Sequence, residues 1–202
     1  MMILRTSPAS PFGRKIKIAA SVLGLYDKLK SENADTNDAA DTLRQQNPVG
    51  KIPILILEDG TTLYDSRVIL EYLDHLAGGG KIIPAAGKAR FDVLTLASLC
   101  DGIMDASLLQ IYEIRFRAED RRDAKWMDYQ GEKITRALDV LEKKLPAIDA
   151  TPNVGTITLA CALGYRDLRF QGTWRKSYPK LVAWLDDFAA RVPSFAKTKM
   201  EP

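Results

Sequence analysis

Two serine-bearing segments stand where helices begin, and a folded chain can hold an anion at such places. Ser7-Pro8-Ala9-Ser10-Pro11 precedes Ile16, Ala19, Ala20 and Leu23, which recur at i, i+3, i+4 and i+7. Asp65-Ser66 precedes Ile69, Tyr72, Leu73 and Leu76 at similar helical spacing. The first N–H groups of a helix have no intrahelical acceptor and carry the positive end of its dipole, so Ser10 and Ser66 can each face a negative group. Each is equally a helix cap, and the two uses are compatible. Pro53 is a further anomaly, because it stands inside Ile52-Pro53-Ile54-Leu55-Ile56-Leu57, an apolar strand pattern in which it removes a ladder donor.

The remaining reactive side chains argue against other chemistry. His75 is the single histidine and falls in the last turn of a predicted helix; one histidine builds no metal cluster, so no metal site is expected. Cys100 and Cys161 lie far apart within helical apolar patterns and read as core thiols rather than a disulfide or zinc site. With 29 Lys+Arg against 26 Asp+Glu, the net charge is +3 and the signs are interspersed, so nucleic-acid binding is not indicated. The one basic cluster near the start, Arg14-Lys15-Ile16-Lys17, reads as a solvated helix face. No apolar run approaches the ~18 residues of a membrane span and no secretory segment opens the chain, so the expectation is a soluble, cytoplasmic protein without membrane association.

The elements that must position these residues fall into two halves. The 202 residues, 46% hydrophobic and 27% charged, suffice for two compact domains. Met2 to Thr6 is a strand candidate, followed by the Ser/Pro loop and a helix that Gly24 ends. Residues 28 to 35 carry a weak strand signal, and Asp38 to Gln46 a short helix. Asn47-Pro48-Val49-Gly50 is a turn. Two strands follow, joined across Glu58-Asp59-Gly60-Thr61, and Asp65-Ser66 opens the next helix. The order is β-α-β-α-β-β-α. Gly78-Gly79-Gly80 and Pro84 interrupt it, and helices are predicted thereafter at 89–118, 124–145, 154–169 and 178–191.

In this order, four motifs carry a family resemblance over essentially the whole chain. They are Ser7-Pro8-Ala9-Ser10-Pro11-Phe12, Asn47-Pro48-Val49-Gly50-Lys51-Ile52-Pro53, Leu63-Tyr64-Asp65-Ser66-Arg67, and Ala160-Cys161-Ala162-Leu163-Gly164-Tyr165. The chain resembles the glutathione transferases, most closely the bacterial serine- or cysteine-type members. The resemblance implies an α/β thioredoxin-like N-terminal domain over residues 1–77, a linker over 78–87, and an all-α C-terminal domain over 88–202. It implies glutathione as cosubstrate, a small apolar electrophile as acceptor, a detoxifying role and a homodimer.

By the same resemblance, Ser10 donates a hydrogen bond to the glutathione sulfur, with Ser7 as second choice. A free thiol ionises near ~8.5, and a hydroxyl donor at a helix N-terminus lowers that value. Ser10 stands where cysteine-type relatives and glutaredoxins carry their nucleophile, and a serine forms no mixed disulfide. Pro53 corresponds to a proline after a cis peptide, leaving Ile52 to meet the cysteinyl backbone in the manner of an added strand. Asp65 and Ser66 suit the γ-glutamyl ammonium and carboxylate, and Lys51 the glycyl carboxylate. The acceptor side is expected from Phe12 and from the long helix bearing Asp101, Met104, Asp105, Leu108, Leu109 and Tyr112, with Arg115 and Tyr112 orienting the electrophile. Asn153 and Thr156 replace the family's Ser/Thr cap and Asp, which predicts a weaker helix start. The fold is equally that of non-catalytic interaction modules and of glutathione-dependent isomerases, dehalogenases and disulfide reductases.

Overall fold

The computed structural model describes residues 1–200. Four strands form one sheet in the order β2-β1-β3-β4: β1 is Met2–Thr6, β2 Leu29–Asn33, β3 Ile54–Ile56 and β4 Thr62–Leu63. β1 and β2 are parallel, and β3 runs antiparallel to both β1 and β4. Helix α1 (Pro11–Val22) crosses from β1 to β2, α2 (Leu43–Gln46) precedes β3, and α3 (Ser66–Leu76) follows β4. The remainder is helical: α4 (Gly87–Phe116), α5 (Ala124–Lys143), α6 (Val154–Phe170), α7 (Pro179–Arg191) and α8 (Pro193–Lys197).

Local chemistry accounts for the starts of the important helices. Ser10 is extended and its Oγ accepts the Gly13 N–H at 3.1 Å, with Pro11 at the first helical position, where its missing N–H costs nothing. Gly13 is required by packing, because a Cβ there would lie 1.9 Å from Thr6 Oγ1 at the end of β1. Asp65 caps α3 by accepting the Arg67 N–H at 2.9 Å. At α6 the Asn153 side chain accepts the Thr156 N–H at 3.1 Å, and Thr156 Oγ1 donates to the Asn153 carbonyl at 2.9 Å. The Val154 N–H donates to the Ile82 carbonyl, so this buried start is engaged without a carboxylate.

Three sequence expectations are corrected. Asp38 to Gln46 is mostly turn, with helix confined to α2, because Asp38 and Asp41 side chains take backbone N–H groups in short turns. The basic cluster of α1 is not a solvated face: Lys15 is buried, and Arg14 and Lys17 are half-buried. The reason is that α1 packs against both α3 and α6, which covers much of its basic segment. Lys15 Nζ donates to Asp101 Oδ1 at 2.6 Å, and Arg14 donates to the Phe195 carbonyl at 2.6 Å while lying over the Phe195 ring. The third concerns α4, which holds an 18-residue stretch of mean hydropathy 1.3 and is long and apolar enough to cross a membrane by length and composition. It packs along α5 and α6, with Cys100, Ile103 and Met104 in the core.

Between α3 and α4, Asp74 accepts the N–H groups of Gly80, Lys81 and Ile82 at 2.8–2.9 Å. The triple glycine is thereby an ordered connection, with Gly78, Gly79 and Gly80 all at positive φ. His75 beside it is exposed in the last turn of α3.

Candidate functional site

A cleft of about 450 Å³ opens between the sheet domain and the helices, a size suited to a small molecule. Four separated segments meet there: Ser7 to Phe12 around the α1 start, Gly50 to Pro53 before β3, Asp65 to Arg67 at the α3 start, and the α4 face carrying Asp105, Leu108, Leu109, Tyr112 and Arg115. Those α4 positions follow i, i+3, i+4, i+7 and i+10, so they form one stripe about 15 Å long.

Each segment is held by identifiable bonds. The Ser10 N–H donates to the Ser7 carbonyl at 3.1 Å, closing the turn that follows β1. Since Ser10 Oγ accepts from Gly13, its hydroxyl hydrogen is left for a further acceptor. Ser10 is buried at the cleft wall and Ser7 is half-buried nearby. The buried Asn47 donates to the Lys51 carbonyl at 2.8 Å and accepts the Val49 N–H at 3.1 Å. This brace and Gly50 at φ 65° hold the turn that delivers Lys51 and Ile52. The Ile52–Pro53 peptide is cis, as is Tyr64–Asp65. Pro53 precedes β3 instead of interrupting it, so the ladder loses no donor.

Charge is organised around Asp101. Its carboxylate accepts from Lys15 Nζ at 2.6 Å and from Arg67 Nε at 3.1 Å, and Arg67 also approaches Asp65 at 3.9 Å. The Asp101 bond holds the Arg67 guanidinium pKa above its ordinary value, against partial desolvation. Asp105, one helical turn onward at the cleft, has its carboxyl pKa pushed up by partial desolvation and by the neighbouring Asp101, against the pull of Arg67, Lys51 and Lys15.

The structure brings Ser7, Ser10, Phe12, Lys51, Ile52, Pro53, Asp65, Ser66, Asp105, Leu108, Tyr112 and Arg115 to this one cleft. Two α4 residues expected at the acceptor side do not reach it. Met104 is fully buried in the core and Asp101 lies beneath the wall as partner to Lys15 and Arg67. A step of one residue turns a helical side chain by about 100°, which separates Met104 from the Asp105 stripe.

The cleft residues not expected as such include Thr36, Arg67 and, from α6, Tyr165 and Arg169. The i, i+4 spacing of the last two was visible in the sequence; the meeting of α6 with the α4 stripe was not. Burial pushes the Tyr165 hydroxyl pKa up, while Arg169, which also hydrogen-bonds it, and Arg115 pull it down. Both cysteines are buried, and burial pushes the Cys161 thiol up to about 11 and raises Cys100 further. Neither offers a ready thiolate.

A second cavity of about 630 Å³ lies behind Ser10 and Pro11, against α6 and α8. Several of its charged side chains already serve the protein: Asp167 accepts from Arg175 and Trp174, and Arg14 binds Phe195 and Thr198.

A mixed sheet of thioredoxin type carrying a helical domain, with a cleft between them, is the glutathione S-transferase architecture. Residues 4–81 match the family model of the glutathione S-transferase N-terminal domain. A GST-like protein of Escherichia coli, YibF, whose function is uncharacterized, is 35% identical over 98% of both chains. A glutathione transferase family member from Pseudomonas fluorescens, solved with bound glutathione, superposes with a TM-score of 0.92 at 43% identity over the full length of both chains. A structure of a family member from that organism with S-(propanoic acid)-glutathione gives 0.88 at 41% identity, again over both full chains. The chain belongs to the glutathione S-transferase family.

Proposed function

We propose that the chain is a glutathione-dependent transferase that ionises glutathione in this cleft and directs its thiolate to a small electrophile. The observation that carries the reading is the convergence of two helix N-termini, those of α1 and α3, with the Lys51–Ile52–Pro53 turn on one cleft. Glutathione has a thiol flanked by two anionic ends, and these three features can meet its three parts. Ser66 at the α3 start takes the γ-glutamyl carboxylate by backbone N–H and hydroxyl, and Asp65 takes the adjacent ammonium. Ile52 offers main-chain groups to the cysteinyl unit, and Lys51 a point charge to the glycyl carboxylate. Ser10 donates its free hydroxyl hydrogen to the thiolate, at a helix start that already favours negative charge.

The bound glutathione and glutathione thioether of the Pseudomonas relatives support this use of the cleft. The buried state of Cys100 and Cys161 favours transfer to an electrophile over exchange through a protein thiol. In keeping with the family, we place the protein in the cytoplasm as a homodimer engaged in detoxification; sedimentation tests the assembly. The reading is tested by calorimetric titration of reduced glutathione into the wild type and Ser66→Ala. Saturable binding, weakened at least about 10-fold by the substitution, is expected from the loss of a hydrogen bond to a charged group. Absence of binding at millimolar glutathione refutes it.

A further inference from the structure

The turn that carries Ser10 has the candidate cleft on one side and the second cavity on the other, for Ala9, Ser10 and Pro11 line both. A turn with a cavity at its front and another at its back rests on hydrogen bonds more than on packing. Three of these bonds are local: the Ser10 N–H to the Ser7 carbonyl at 3.1 Å, the Gly13 N–H to Ser10 Oγ at 3.1 Å, and the Arg14 N–H to the Ser10 carbonyl at 3.0 Å. The last closes the first turn of α1, so the main chain of Arg14 carries Ser10.

The side chain of Arg14 is anchored far along the chain. One terminal nitrogen donates to the Phe195 carbonyl at 2.6 Å, Nε donates to Thr198 Oγ1 at 3.3 Å, and the guanidinium carbon lies 4.1 Å from the centre of the Phe195 ring. The N–H groups of Thr198 and Lys199 go to the Ser194 and Ala196 carbonyls, which leaves the Phe195 carbonyl near the end of α8 to side chains. A cation there also meets the negative end of that helix. α8 is itself seated in the core, since the Phe195 ring packs edge-on against Phe188, whose ring stacks on Trp184. The other terminal nitrogen of Arg14 runs close over α6, where a Cβ at Gly164 would lie 2.5 Å from it. Asp167 of α6 attracts Arg14 from farther away, with its oxygens taken by Arg175 and Trp174.

Resting on the proposed thiolate role of Ser10, we infer that Arg14 is a positioning residue: clamped between α6 and the last turn of α8, it fixes the first turn of α1 and with it the direction in which the Ser10 hydroxyl meets sulfur. Arg14 lines the second cavity and not the cleft, so it acts through Ser10 and does not touch glutathione. The C-terminal segment thereby takes part in thiol ionisation from behind the turn. A hydrogen bond to a thiolate depends steeply on the direction of its donor, and a small displacement of Ser10 weakens it. The charged ends of glutathione, assigned to the α3 start and the Lys51 turn, are not disturbed by that displacement.

The test compares Arg14→Met, Ser10→Ala and the double variant through the pH profile of kcat/KM for a chromogenic electrophile at saturating glutathione. Affinity for S-methylglutathione, which has no thiol to ionise, checks the rest of the site. Arg14→Met is expected to lose about 3- to 10-fold in rate below the bound thiol pKa and to rejoin the wild type above it, with S-methylglutathione affinity retained. The double variant is expected to match Ser10→Ala, because Arg14 acts through that hydroxyl. An Arg14→Met profile superimposable on the wild type, a loss uniform with pH, a loss of S-methylglutathione affinity, or losses that multiply in the double variant each overturn the inference. In all four cases a shifted Ser10→Ala profile leaves the transferase reading standing. An unshifted Ser10→Ala profile removes the role of Ser10 and the inference with it. Should Arg14→Met fail to fold, Thr198→Val removes one acceptor of the same guanidinium: a smaller shift of the same sign is expected, and none overturns the inference.

Discussion

Replacing Ser10 by alanine removes two interactions made by one oxygen, and they can be measured apart. As an acceptor, Oγ takes the Gly13 N–H at 3.1 Å, and loss of such a helix cap costs about 1 kcal/mol of stability. As a donor to the glutathione thiolate, the hydroxyl contributes ~1.5–3 kcal/mol, the range for a hydrogen bond to a charged group. At 1.36 kcal/mol per unit, that raises the bound thiol pKa by about 1–2 units. Below both pKa values the rate follows the thiolate fraction, so kcat/KM should fall ~10–100-fold. Above both, the thiol is fully ionised in either protein and the two profiles converge. Below both pKa values glutathione affinity changes little, because the neutral thiol is what binds and its two charged ends are held elsewhere in the cleft. The assay is the pH profile of kcat/KM for a chromogenic electrophile at saturating glutathione, supported by the ultraviolet absorbance of the bound thiolate and by urea denaturation for the cap. A Ser10→Ala profile superimposable on the wild type, with the shift appearing in Ser7→Ala, would transfer the role to Ser7. A rate loss uniform with pH in both Ser10→Ala and Ser7→Ala would refute thiolate stabilisation by either serine.

Asp101→Ala leaves the buried Lys15 charge uncompensated and should cost about 3–5 kcal/mol in urea denaturation; a double substitution with Lys15→Met should be less harmful than Asp101→Ala alone. Gly13→Ala drives a Cβ into Thr6 Oγ1 and should lose about 1–3 kcal/mol, partly recovered in combination with Thr6→Ala. The raised Asp105 carboxyl pKa means that its ionisation opposes folding, and this penalty is absent below the unfolded value near ~4 and complete above the folded one. Asp105→Asn should therefore gain stability relative to wild type as pH rises through that window, read from the difference in Tm; a pH-independent difference would contradict the direction. Cys100 and Cys161 should resist alkylation in the native protein at neutral pH and react once it is unfolded, as followed by mass spectrometry.

Much of the architecture was readable because it rests on local chemistry. The i, i+3, i+4 pattern before Gly24 marked α1, and the alternation around Asp59-Gly60 marked the β3–β4 hairpin. The helices after the triple glycine were placed within a few residues of their observed ends. Asp38 to Gln46 was over-extended as a helix because aspartates that close turns carry the same polar signature as those that cap helices. At the candidate site, Ser10 and Asp65-Ser66 were visible as helix starts, and Pro53 as an oddity in a strand. The fate of Lys15 was not, since its partner Asp101 stands 86 positions away.

By itself, the sequence determined where helices and strands begin and end, since caps, turns and apolar spacing act over a few residues. It also determined which groups were available for chemistry: serines at helix starts, a lone histidine and two isolated thiols. Tertiary structure alone decided which of those groups meet. Packing α1 between α3 and α6 turned a basic segment into a buried ion pair, and seating α6 against α4 put Tyr165 and Arg169 opposite Tyr112 and Arg115. The physical reason is range: capping and periodicity are near-neighbour effects, whereas charge compensation and a shared cleft depend on distances between residues that the chain brings together only when its core closes.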